Sequence, residues 1–107
     1  MVNFELSELL KARERANRSY FEFIRIPQLS AGIYVLPSGA ADPQKPHKED
    51  ELYYVVSGRA TIHVDREDQP VQPGSFVLVR RGIPHRFHSI TEDLTVLVFF
   101  GPAESNS

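Results

Sequence analysis

The sequence predicts an all-β protein, a sandwich or barrel of short strands with one helix ahead of it. Roughly eight short runs rich in Val, Ile, Leu, Phe and Tyr recur along the chain, the residue types that suit a pleated, half-buried surface. Gly, Pro and Asp separate these runs at the spacing of successive antiparallel strands, not at the longer spacing of strand–helix alternation. Helical periodicity is confined to the N-terminal stretch. With 107 residues the chain suits one core. We read it as a single domain over 1–107, with a helix and linker over 1–18, a barrel over 19–101 and a polar, frayed tail over 102–107.

Taken in order, Phe4 to Arg15 reads as a short amphipathic helix with Leu6, Leu9 and Leu10 on one face and Glu5, Glu8, Lys11 and Arg15 mostly elsewhere. Asn3 is the expected N-cap, Glu5 favours the first turn, and Asn17 is the expected stop. The helix is read as a lid on the rest. Tyr20 to Arg25 is the first strand, closed by Pro27, and Ser30 to Leu36 the second, closed by Pro37-Ser38-Gly39. Leu52 to Val56 and Arg59 to Asp65 follow, with a turn expected at Ser57-Gly58. Glu67 to Pro70 and Gln72-Pro73-Gly74 read as further turns around Phe76 to Val79. After the break at Gly82-Ile83-Pro84, His85 to Ser89 and Leu94 to Phe100 complete the sheet. Several of these runs are apolar on both faces. The outward face then needs cover, from the helix or from a second copy, which argues for a homodimer.

Composition narrows the function. A net charge of −2 gives no footprint for nucleic acid or an anionic membrane surface. The absence of cysteine excludes disulfides and thiolate metal sites. The first residues carry acids and bases where a secretory signal needs an apolar core, and no apolar run reaches the ~20 residues of a membrane span. A cytoplasmic protein is expected.

The candidate chemistry lies between Gly39 and Gly58. His47 and Glu51 are four residues apart at the entrance to an apolar run, so on a strand they share a face. His85 stands just after a second glycine-punctuated strand. Two imidazoles and a carboxylate are a ligand set for Fe(II) and other N/O-preferring divalent ions. Taken singly, His47 is an ordinary loop histidine in the charged run Lys48-Glu49-Asp50, where Glu49 and Asp50 read as solvated. Strand parity puts Tyr53 and Val55 with Glu51, and Ile83 and Phe87 with His85. Together with Tyr34 they are candidates to line a small-molecule pocket, although barrel aromatics are more often plain core. His63 and His88 fall on the opposite parity and read as surface positions. Arg80 and Arg81 read as solvated turn charges, with carboxylate binding left open.

Two spacings resemble the motifs of the cupin superfamily. In the first, Gly39 is followed after five residues by Lys45, then His47, Glu51 and Gly58. In the second, Gly74 is followed after five residues by Arg80, then Gly82 and His85. The segment also resembles small bacterial cupins without an assigned activity. The resemblance implies a jelly-roll barrel enclosing a divalent metal (Fe, Mn, Ni or Zn) held by His47, Glu51 and His85, with a small-molecule ligand or substrate and oxygenase or isomerase chemistry. It departs from the family pattern at Lys45, where the first histidine is expected, and at Arg80 and Ser89. Because an ammonium repels a dication, Lys45 is expected to swing outward or to bind an anionic ligand. Gln44 is the alternative fourth ligand, if Pro46 disturbs the local alternation. The competing reading is a cupin that binds a small ligand, or serves as a structural dimer, without a functional metal.

Overall fold

A computed structural model of the protein describes residues 1–105. One helix, α1 (Leu6–Ala16), precedes six strands: β1 (Tyr20–Ile26), β2 (Leu29–Leu36), β3 (Asp50–Val64), β4 (Glu67–Val71), β5 (Phe76–Val79) and β6 (His85–Gly101). All pairings are antiparallel, along the path β1-β2-β6-β3-β4, with β5 also on β3. The hydrogen-bonded path does not close strictly on itself, but its curled sheet is the jelly-roll expected.

Fewer strands form than the punctuation suggested, because β3 and β6 each absorb two of the expected runs. Gly58 is not a turn. It sits within β3 at φ +94°, inside the register shift from Ser57 to Arg59 and flanked by those at Val55/Ser57 and Arg59/Thr61, so the chain bulges and continues. A Cβ at Gly58 would meet the Asp93 carbonyl and Leu94 Cα of β6, so close backbone approach as well as dihedral angle demands glycine there. The run Glu67 to Pro70 is likewise strand, with the turn at Asp65 and Arg66 instead. Pro70 is tolerated because β4 ends the sheet path, where a missing N–H breaks no inner ladder.

Alternation fills the interior. On β6, Leu94, Val96, Val98 and Phe100 are buried, and Tyr53 and Val55 on β3 and Phe87 on β6 face them. Helix α1 packs lightly: Leu9 is buried, Leu6 is exposed, and Phe4 meets Phe23 edge-on at 5.5 Å. Its N-cap position is Glu5, with no side-chain capping bond, so Asn3 does not cap it. Asn17 does stop it, taking a left-handed φ of 54° while its N–H reaches the Arg13 and Glu14 carbonyls.

The C-terminal segment is held, contrary to the frayed tail expected. Ala103 donates its N–H to the Pro27 carbonyl (3.2 Å) and Glu104 donates its own to Ser30 Oγ (2.9 Å). Residues 106–107 of that expected tail lie outside the described residues.

Candidate metal centre

His47 is not on a strand. It lies late in the loop between β2 and β3, four residues ahead of Glu51, and the Gly82 N–H fixes its carbonyl at 2.8 Å. Glu51 opens β3 facing inward, and His85 opens β6 opposite it; both are almost wholly buried, at 2% and 5% exposure. The three side chains converge, with one ligand atom from each lying within 4.8 Å of the others. His85 Nε2 is 3.0 Å and His47 Nε2 3.8 Å from Glu51 Oε1. Their rings stand 5.5 Å apart, and His47 also packs edge-on against Phe100 at 5.0 Å.

Hydrogen-bond accounting defines what this cluster lacks. His85 Nδ1 faces the Ile83 carbonyl at 3.0 Å. A carbonyl only accepts, so Nδ1 carries the proton and a neutral His85 presents a lone pair at Nε2. That lone pair confronts the carboxylate oxygen Glu51 Oε1, and both atoms are buried without a hydrogen-bond partner among the described residues. Two acceptors held together in a buried site need a shared proton or a cation between them. Protonation is one response. Burial disfavours charge on His85, but Glu51, the Ile83 carbonyl and Asp42 outweigh it and raise its pKa above the usual 6.5. A divalent ion satisfies the same atoms, so the donor set fits the group that the motifs imply.

Gln44 turns inward and Lys45 outward. Asp42 accepts a bond from Gln44 Nε2 (2.7 Å), which leaves the amide oxygen facing the site. There Gln44 Oε1 accepts the Tyr53 hydroxyl (2.9 Å) and lies 3.3 Å from His47 Nε2. Lys45 is exposed.

Asp42 is the organising residue that sequence reasoning missed. Buried in the loop ahead of the site, it also accepts the Tyr34 hydroxyl (2.6 Å) and the Phe87 N–H (2.9 Å). Burial and then this carboxylate push the Tyr34 phenol far above its ordinary pKa. Burial, followed by Glu51, does the same at Tyr53. Both phenols therefore act as hydrogen-bond donors. Glu49 corrects another expectation, because it is 5% exposed rather than solvated and its Oε1 has no hydrogen-bond partner among the described residues. Asp50 is tied to the Arg80 guanidinium (3.0 Å) and the Arg81 N–H (2.9 Å).

A cavity of about 160 Å³ opens beside the cluster, lined by Tyr20, Tyr34, Gln44, His47, Glu51 and Glu104 over a floor of Val98 and Phe100. Phe87 is core instead, edge-on to Tyr53 at 4.9 Å. Tyr20 and Glu104 escaped sequence reasoning because one opens the first strand and the other lies in the expected tail. The Tyr20 ring enters the cavity over Gly32, where a Cβ would overlap it, and its buried hydroxyl lacks a partner among the described residues. Burial, then Glu104, raises the Tyr20 pKa strongly. Burial also raises that of Glu104, which His47 opposes.

His63 and His88 lie away from this centre, both turned to Asp68 Oδ1 on β4 at 2.9 and 2.8 Å.

Compared with known proteins, residues 32–100 match the Cupin domain family. The chain is a cupin. An uncharacterised protein of Streptomyces coelicolor is 49% identical over 105 residues, covering 98% of this cupin and all of that chain. The structure of TT1209 from Thermus thermophilus superposes with a TM-score of 0.77 at 24% identity, covering 96% of this cupin and 99% of that chain. KdgF from Halomonas gives 0.71 at 23% identity, covering 78% and 76%. At those identities the structural likenesses establish the fold.

Proposed function

We propose that this cupin holds a divalent metal ion (Fe, Mn, Ni or Zn) through His47, Glu51 and His85, with the Gln44 amide oxygen as fourth donor, and binds a small molecule in the adjoining cavity. The observation that carries the reading is the pair of buried acceptors, Glu51 Oε1 and His85 Nε2, 3.0 Å apart with no donor to either among the described residues. When bound, such an ion supplies Lewis acidity or a platform for O2, which suits isomerase or oxygenase chemistry. The chain's own residues do the rest. Asp42 locks the Gln44 amide, Tyr34 and Tyr53 are held as donors, and Val98 and Phe100 make the cavity floor apolar.

Elemental analysis of protein purified without a metal-affinity tag tests the proposal. We expect close to one equivalent of a single divalent ion, lost in His47→Ala and Glu51→Ala. The competing reading is a ligand-binding cupin without a functional metal, and it rests on Lys45 standing where the family places a further histidine. Metal-free protein that still binds small molecules would establish it instead.

The proposal extends to a homodimer. Leu52 pairs with Leu78 and Tyr54 with Phe76 across β3 and β5, and Phe76 and Leu78 are 68% and 61% exposed. These four residues carry no charge, so a second copy of the same face is a fitting cover.

A further inference from the structure

The metal-site reading accounts for the Nε2 side of His47 and leaves its other nitrogen unexplained. Nδ1 points away from the cluster, toward Glu104, whose Oε2 stands 3.4 Å from it. Three contacts bring this residue from the far end of the chain. The Glu104 N–H is bound to Ser30 Oγ, and Ser30 is wholly buried. The Arg25 guanidinium holds the Glu104 carbonyl at 2.8 Å, and the preceding N–H, of Ala103, is bound to Pro27. The backbone on both sides of the Glu104 side chain is therefore fixed on β1, β2 and the turn between them. The side chain that this clamp delivers is half-buried and lines the cavity.

We propose that Glu104 is a positioning residue for His47: its carboxylate accepts a hydrogen bond from the Nδ1–H, fixes the ring's tautomer, and turns the Nε2 lone pair to the metal. A metal-ligating imidazole ordinarily donates its second N–H to such an acceptor, which orients the ring and makes the ligating nitrogen more basic. The terminal torsion of a glutamate is soft, so a small rotation closes 3.4 Å to a hydrogen bond. His85 receives the equivalent support from the Ile83 carbonyl. His47 sits in a loop, and among the described residues its Nδ1 partner comes from the C-terminal segment. Docking of that segment thus becomes part of building the metal site.

This inference rests on the metal-site reading above, and one titration series separates the two. Dissociation constants for Zn(II) are measured by competition with a chromophoric chelator for the wild-type chain, Glu104→Ala and Glu104→Gln. Melting temperatures of the metal-free forms are taken alongside. We expect Glu104→Ala to bind about 10- to 100-fold more weakly. The amide oxygen of Glu104→Gln still accepts the Nδ1 proton, so that variant recovers most of the loss. The metal-free melting temperatures should stay together, because the clamp uses only backbone atoms of Glu104. Equal affinity in wild type and Glu104→Ala would overturn the positioning role. So would a Glu104→Gln variant as weak as Glu104→Ala, which would make the effect one of charge alone. A wild-type chain that takes up no Zn(II), Fe(II), Mn(II) or Ni(II) would sink the metal-site reading itself.

Discussion

At the scale of single residues, the loop before β3 matters most, and Asp42 is its keystone. It bonds three groups that belong to three parts of the molecule: a phenol on β2, an amide in its own loop and a backbone N–H on β6. Asp42→Ala should leave those three donors without their acceptor and destabilise the protein by about 3 kcal/mol, read from urea denaturation at pH 7. It should also release Gln44 and weaken metal uptake. Unchanged stability would show that water replaces the carboxylate at little cost. The three candidate ligands were legible in the sequence because their residue types and spacing are unusual together. Asp42 was not, since an acid between Ala41 and Pro43 looks like an ordinary turn former. Glu104 was hidden for a similar reason. Its significance lies in a contact with Ser30 across the fold, and no local pattern encodes that.

At the scale of elements, glycine at position 58 separates what punctuation suggests from what pairing requires. Read alone, Ser57-Gly58 is a turn; between two apolar runs that both pair with β6, it becomes a bulge in one long strand. Gly58→Ala should cost about 2–3 kcal/mol, from the positive φ together with the contact on the Asp93 carbonyl. Thermal melts check this, and a loss below half that figure would mean that β6 yields easily. The β3–β4 hairpin carries an electrostatic signature. Bonds from His88 and His63 hold the Asp68 carboxyl below its ordinary pKa of 3.8. A depressed folded value means stability that is present above the unfolded value and lost as pH falls through the folded one. Asp68→Asn should therefore melt below wild type at neutral pH, with the gap closing as pH drops below about 4. A gap that does not narrow as pH falls below that point would contradict this assignment.

At the scale of the whole molecule, the outer face of β3 and β5 remains apolar in the isolated chain. Phe76 and Leu78 point outward there, and the proposed second copy would cover them. Sedimentation should give a dimer for the wild-type chain and a monomer for Leu78→Glu, because a buried carboxylate without a partner opposes association. A monomeric wild-type chain would require another cover for this face. Metal loading should survive the change, since no residue of the centre lies on that surface.

By itself the sequence determined the class of fold and the three side chains that converge. Both follow from short-range regularities, namely alternation along strands, glycines at fixed intervals, and imidazole and carboxylate at matched spacing. Tertiary structure alone decided which atoms complete the site. The inward turn of Gln44, the outward turn of Lys45, the burial of Asp42 and Glu49 and the approach of Glu104 all depend on groups distant in the chain. Loops and termini lack a repeating pattern because their hydrogen bonds are made to whatever the sheet brings near them. The partners of such residues can be known only once the sheet has formed.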